Sequence, residues 1–261
     1  MRIGSLFSGI GGLELGLERV GLGRSVWQVE RDPFCGSVLQ SHWPEALRLD
    51  DVHHAGRATL PRVDLICGGF PCQDVSSAGH RAGLAGSRSG LWREFARVVS
   101  EMRPEWVVVE NVSSGANLWL DAVVRDLEEL AYACLPLPLS AAGVGAPHLR
   151  RRIFVIARHA EAQGEPALAV DGEMEELRGD ADAADASKLG EREPADQADA
   201  IPVSWDARAI SCGRGWGPPE PVLRRVDDGV PRRMDRLRAL GNAVVPQVAE
   251  HIGRMIVQAA A

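Results

Sequence analysis

The stretch Val63-Asp64-Leu65-Ile66-Cys67-Gly68-Gly69-Phe70-Pro71-Cys72-Gln73-Asp74 decides how this chain is read. An apolar, strand-like run stops at a Gly-Gly pair, and a Pro-Cys step follows at once. Gly68 and Gly69 let the backbone turn sharply and approach a ligand closely. Pro71 fixes φ just before the thiol and stiffens the turn that carries it. A thiol at the end of a buried strand stands where open α/β sheets place their chemistry. Two readings of Cys72 follow, a reactive nucleophile or a buried structural cysteine. The flanking chain has to choose between them.

Toward the N-terminus, Arg2 to Phe7 reads as a short buried strand, followed by Ser8-Gly9-Ile10-Gly11-Gly12 and a helical pattern from Leu13 to Val20. Strand, glycine turn and helix form a nucleotide-binding arrangement, with backbone N–H groups and a helix N-terminus facing the ligand. Many such turns only pack a helix on a strand. The next strand-like run, Ser25 to Val29, ends in Glu30. An acid about 20 positions past the glycines is where a ribose-hydroxyl ligand sits; its bland alternative is a solvated strand end. Asp32 and Pro33 open a helix running to Ser41. Asp50-Asp51-Val52 then falls at a strand end, in the same crevice as Glu30.

Toward the C-terminus, Asp74 to Gly90 is polar and glycine-rich, with Arg81 and Arg88. Its length and polarity predict a mobile loop over a site. Leu91 to Met102 is helical, and Pro104-Glu105 ends it. Trp106 to Val109 reads as a fully buried strand that delivers Glu110-Asn111-Val112 to the sheet edge. A carboxylate just after four apolar strand residues is expected to be desolvated, which favours its protonated form and suits a general acid. A solvated strand-end glutamate is the other reading. Leu118 to Leu130 forms a further amphipathic helix. Arg150-Arg151-Arg152 then enters the strand Ile153 to Ala157, and alternation puts Arg150 and Arg152 on one side.

Composition bounds the possibilities. The 261 residues are 45% apolar and 25% charged, ordinary for a globular chain long enough for one large α/β domain and a smaller lobe. No apolar run approaches a membrane span. Five cysteines without a CxxC pair or a histidine cluster argue against a disulfide framework and against a metal site. A reducing, cytoplasmic setting is expected. The net charge of −7 is unevenly spread. From His159 to Ala200, thirteen acids face Arg178, Lys188 and Arg192, leaving −10; the rest, with 26 bases and 23 acids, carries +3. That positive charge is all arginine, a residue suited to phosphates and base edges.

Five blocks in order carry a resemblance. Phe7 to Gly12, Gly68 to Gln73, Glu110-Asn111-Val112, Arg150-x-Arg152 and Gly241-Asn242-Ala243-Val244-Val245-Pro246 resemble the blocks of the DNA cytosine-5 methyltransferases of bacteria and phages. Five blocks in sequence order are specific where one is not. The resemblance covers about the first 157 residues and the last 25. It implies an α/β fold with a doubly wound, mostly parallel sheet, completed by a helix after Pro246. It also implies S-adenosylmethionine (AdoMet) as cofactor, no metal, and double-stranded DNA as partner. A monomer is expected, with any cognate restriction endonuclease acting separately.

The same resemblance assigns roles. Cys72, presented by Pro71, would attack C6 of a flipped-out cytosine, Glu110 would act at N3, and Arg152 would hold the base and support Glu110, with Arg150 nearby. Phe7, Gly9, Ile10, Gly11 and Gly12 would line the cofactor. Glu30 would take the ribose hydroxyls, Asp51 and Val52 the adenine, and Leu91 and Asn242 the remaining wall. Four positions depart from the family pattern: Ser5 stands for Asp, Arg31 for an aromatic, Asp50 for Gly and His148 for Gln. The domains implied are 1–158 plus 235–261 for catalysis and 159–234 for target recognition. Within the latter, Ala160 to Ala200 is too acidic to face phosphate and reads as a mobile insertion. Recognition is expected from Trp205, Arg208, Arg214, Trp216, Arg224 and Arg225. An RNA cytosine-5 methyltransferase on the same scaffold, and a non-catalytic DNA-binding relative, are the alternatives.

Overall fold

A computed structural model describes residues 1–71, 90–114, 116–162 and 232–260. The elements are β1 (Arg2–Leu6), α1 (Gly12–Arg19), β2 (Arg24–Val29), α2 (Pro33–His42), β3 (Leu47–Leu49), β4 (Leu65–Gly69), α3 (Gly90–Met102), β5 (Trp106–Val112), α4 (Leu120–Glu129), β6 (Tyr132–Ser140), β7 (Arg151–His159), α5 (Arg233–Asn242) and α6 (Pro246–Ala260). The strands form one sheet in the order β3-β2-β1-β4-β5-β7-β6. The pairs β3–β2, β2–β1, β1–β4 and β4–β5 are parallel, and β7 enters antiparallel beside β5. The expected α/β, mostly parallel sheet is therefore present. The order reverses between β1 and β4, where such sheets bind ligands beyond their strand ends.

Alternation along the buried strands separates two faces. Leu6, Ile66, Val107, Val109 and Val155 share a core with Trp92 and Phe95 of α3 and with Val123 and Leu127 of α4. Each such side chain contributes about 1.5–3 kcal/mol by leaving water. The intervening residues, Ser5 and Cys67 among them, face α1 instead, where both act on the Glu14 carboxyl or feel it. Helices on both faces make the sheet doubly wound. On that second face α1 lies against α6, and glycines set the distance of approach. A Cβ on Gly16 would run into the Pro246 carbonyl and Ala249, and one on Gly253 would meet Val20 and Leu17.

Local chemistry explains several boundaries. Asp32 caps α2 by accepting from the Phe34 and Cys35 N–H groups at 2.8 and 3.2 Å, with Pro33 at the first helical position; such a cap stabilises by about 1 kcal/mol. β1 stops at Leu6, one residue short of expectation, because Phe7 adopts the left-handed region at φ 54. β5 runs on through Val112, since β7 pairs with it as far as Val112↔Arg152. Glu110 thus lies inside a strand and not just beyond one. The helix expected from Leu118 begins at Leu120, after a 3-10 turn at Ala116–Leu118, and ends at Glu129. β6 has no counterpart in the sequence reading. Its Leu-Pro-Leu-Pro run lacks two backbone donors, which an edge strand tolerates.

The chain divides into two units. The larger holds Met1–Leu139, Arg151–Ala169 and Pro231–Ala261, and the described part of the smaller is Ser140–Arg150. That piece is a closed loop: Ala141 N–H donates to the Leu149 carbonyl at 2.9 Å, around a 3-10 turn at Ala142–Val144. The acidic stretch from Ala160 to Ala200 lies, apart from its first few residues, outside the described residues. Trp205 to Arg225 and the loop Asp74 to Ser89 lie outside them as well.

Candidate active site

β4 and β5 bring the first group of candidates together. Gly69 and Glu110 are register partners on these parallel strands. Glu110 is 8% exposed, and its Oε1 lies 2.9 Å from Arg152 Nε on the neighbouring β7. A second Arg152 contact, Nη1 to the Arg151 carbonyl at 2.8 Å, holds the guanidinium in place. Gly69 has no Cβ because that position is taken: a Cβ there would stand 2.5 Å from Glu110 Oε2. Next along β5, Asn111 donates to the Phe70 carbonyl at 3.3 Å and ties β5 to the residue before Pro71. Phe70 is itself clamped by Trp92 and Trp119, with ring centroids 5.4 and 5.9 Å away. Pro71 is exposed at the end of this clamped segment, and Cys72 lies outside the described residues. The Pro-Cys step therefore departs from a fixed root beside Glu110.

Arg150 is not part of this strand geometry. β7 starts at Arg151, and Arg150 has a left-handed backbone at φ 33. The expectation that Arg150 and Arg152 share a side by alternation is corrected on that ground, because the period of two needs extended backbone on both.

The glycine turn forms the second group. Phe7, Gly9 and Gly11 all have positive φ, at 54, 57 and 82. Phe7 carries a Cβ, so its conformation is strained, and strain of this kind gathers at functional sites. The Ser8 N–H donates to the Val29 carbonyl at 3.1 Å, and the Ser8 carbonyl accepts from Gly11 at 3.0 Å. Glu30 ties the turn to β2: its Oε2 accepts from the Gly9 N–H and its Oε1 from the Asp32 N–H, both at 2.7 Å. Among the described residues, nothing stands within 4 Å of where a Gly9 Cβ would be, whereas Gly12 lies against the Val244 carbonyl from the α5–α6 turn. Ile10 is half-buried between them.

The remaining wall candidates lie on other elements. Asp51 accepts from the backbone N–H and the imidazole of His53 at 2.9 and 2.6 Å, and both hold its carboxyl below the usual range. Val52 is buried, and its carbonyl accepts from Arg97 Nη2 at 3.0 Å. Leu91 is half-buried in the first turn of α3, and Asn242 is exposed at the end of α5.

Three relationships were not anticipated. Arg97 ties α3 to the Val52 and Ala55 carbonyls while pairing with Glu94 and Glu101; the Glu-x-x-Arg-x-x-x-Glu spacing on a helix was its signal. Arg238 of α5 pairs with Asp32, beyond any spacing rule. The Glu14 carboxyl, in the first turn of α1, is fully buried. Among the described residues, no group of three or more His, Cys, Asp or Glu is placed to hold a metal ion. No helix there is long and apolar enough to cross a membrane.

With this geometry in place, comparison with known proteins is decisive at the family level. Residues 1–191 match the model of the C-5 cytosine-specific DNA methylases. The chain belongs to that family. It is similar to the Type II methyltransferase M2.BsuMI of Bacillus subtilis, 36% identical over 165 residues, covering 60% of this chain and 42% of the relative. The Type II methyltransferase M.HhaI of Haemophilus parahaemolyticus is 34% identical over 160 residues, covering 60% and 48%. A solved DNA modification methyltransferase encoded within an E. coli prophage superposes with a TM-score of 0.54 at 28% identity, over 63% of this chain and 48% of its own. The chain spans under half the length of each of these three.

Proposed function

We propose that this chain is a DNA (cytosine-5-)-methyltransferase that uses AdoMet to methylate a flipped-out cytosine within a specific DNA sequence. The observation that carries the reading is the Glu110–Arg152 pair at 2.9 Å. It stands on β5 and β7, beside the strand that leads directly into Pro71 and Cys72.

The residues fit the cofactor. Backbone open at Gly9 admits a ligand laid against the turn. Glu30 spends one acceptor site of each oxygen on Gly9 and Asp32, and a carboxylate has about four such sites. Two remain for a ribose diol. When bound, AdoMet supplies an electrophilic methyl group for C5. Phe7, Gly9, Ile10, Gly11, Gly12, Asp51, Val52, Leu91 and Asn242 form the walls around it.

Cys72 acts as a thiolate and forms a bond to C6 of the target ring, pushing electron density toward C5. Glu110 hydrogen-bonds or protonates N3, which drains charge from the ring and makes that addition favourable. Arg152 steadies Glu110 and the base. Loss of the C5 proton and breakage of the S–C6 bond then return the thiolate. The target ring cannot reach a thiol inside a duplex, which requires flipping. Target choice falls to residues 159–234. The setting is the cytoplasm of a prokaryote, the chain acts as a monomer, and any partner endonuclease works separately.

The test is 5-methylcytosine mapping. The chain and its Cys72→Ser variant are expressed in a host lacking cytosine methylation, and genomic DNA is sequenced after bisulfite conversion. A short motif methylated only by the intact chain is the expected result. Methylation at an equal level in the Ser variant overturns the mechanism, and unmodified DNA from a soluble, AdoMet-binding chain overturns the DNA substrate.

A further inference from the structure

Glu14 has no role in the chemistry above, yet its placement is unusual. Its side chain is 0% exposed, and neither carboxyl oxygen closes a well-formed hydrogen bond among the described residues, although the Ser5 and Ser8 hydroxyls lie within its reach. An ionised carboxylate left in that condition is strongly disfavoured. The groups acting on it form one cluster beneath the glycine turn. The hydroxyls of Ser5 and Ser8 favour its ionised form, and Glu18, one turn along α1, opposes it. The buried Cys67 thiol on β4 lies on the same side, and burial together with Glu14 pushes that thiol well above its usual range, so it stays neutral. On α6, which lies along α1, the titratable groups are Glu250, engaged by Arg19 and Arg254, His251 and Arg254 itself. Burial carries the Glu14 carboxyl from an ordinary 4.5 up to about 7.

The cluster connects directly to the cofactor turn. The Ser8 hydroxyl donates to Ser5 Oγ at 2.9 Å and lies 3.3 Å from the Ser5 carbonyl. Ser8 is also the backbone pivot of the turn, donating to Val29 and accepting from Gly11. The next N–H, that of Gly9, holds Glu30. A line of contacts therefore runs from Glu14 through Ser5, Ser8 and Gly9 to the carboxylate read above as the ribose ligand.

We infer that Glu14 is a proton-dependent positioning residue for the cofactor turn: as a neutral acid it leaves the Ser5–Ser8 pair in place, and on ionisation it draws those hydroxyls to itself. The reorientation of Ser8 shifts Gly9 away from Glu30 and weakens cofactor binding. No bond is made or broken beyond the acid's own proton, which passes to solvent. The inference rests on the AdoMet reading of this site.

The test is calorimetric titration of the full-length chain with AdoMet at about pH 6 and about pH 8.5, alongside Glu14→Gln and Ser5→Ala. Wild-type affinity falls about fivefold or more between the two pH values, a typical coupling between sites. Glu14→Gln, a permanently neutral mimic, retains the low-pH affinity at both. Ser5→Ala interrupts the line and gives a flat profile even if the Gln variant does not fold. A wild-type affinity independent of pH overturns the inference and leaves the cofactor reading standing. A slope that persists in Glu14→Gln also overturns it. Absence of AdoMet binding at either pH overturns the cofactor reading, and this inference with it.

Discussion

Gly69 and Glu110 face each other across two parallel strands, and the side chain the first lacks is the space that the carboxylate of the second occupies. A conformational argument does not explain this glycine, since its φ is not in the left-handed region. Volume does. The second glycine of the Gly-Gly pair is there so that a buried acid can stand beside the root of the Pro-Cys step.

Gly69→Ala tests this relationship. A Cβ placed 2.5 Å from Glu110 Oε2 must push the carboxylate aside. Displacements of about 1 Å in a reacting group lower rates by about a hundredfold. Methyl transfer should fall by about that factor while AdoMet affinity and circular dichroism stay unchanged. An unaffected rate would show that Glu110 acts from some other position.

Arg152→Lys separates charge from shape. The ammonium keeps the positive charge but loses the planar fork that meets both Glu110 and the Arg151 carbonyl. The expected loss in kcat is about a hundred- to a thousandfold, with a smaller change in KM for DNA, as befits support of a proton-transferring group. Single-turnover methyl transfer at saturating DNA measures it.

Glu30→Ala leaves the Gly9 and Asp32 N–H groups without their acceptor. Charge-assisted hydrogen bonds contribute about 1.5–3 kcal/mol, so AdoMet should bind about 10- to 100-fold more weakly. Glu30→Gln, which keeps one acceptor oxygen, should fall between. Equal affinities across the three chains in calorimetry would reduce Glu30 to a pin for the turn.

Glu14 also makes a stability prediction. Its folded pKa is raised from 4.5 to about 7, so its contribution is complete below about pH 4.5 and is lost as the pH rises through 7. The shift corresponds to about 3 kcal/mol. Between about pH 5 and 8, urea unfolding of the wild type should show falling stability from this group. Glu14→Gln should lack that component, and identical pH profiles for the two chains would contradict it.

Much of this was legible in the sequence where local chemistry governs. Asp32-Pro33 announces a helix start because capping needs only three consecutive residues. The glycine turn and the run Trp106 to Val109 are equally local. What could not be read was set by strands far apart in sequence. Glu110 lies inside β5 only because β7 pairs past it, and the Gly69–Glu110 fit depends on a register that no spacing encodes. β6 was hidden by Pro136 and Pro138, which look like breakers until the strand is seen at an edge. Arg150 failed the opposite way: alternation was assumed through a residue whose backbone is left-handed. Glu14 was passed over because a charged residue in the first turn of a helix ordinarily faces water.

The lean of Gly12 on Val244, and of Gly16 on Pro246 and Ala249, has a consequence for biosynthesis. The apolar stripe of α1 leaves the ribosome early, but its cover, α6, is translated far later. Until then the side of α1 that carries Gly16 and Leu17 lacks its α6 cover. The half-made chain thus exposes that side of the helix, while the glycine turn is already held by Val29 and Glu30.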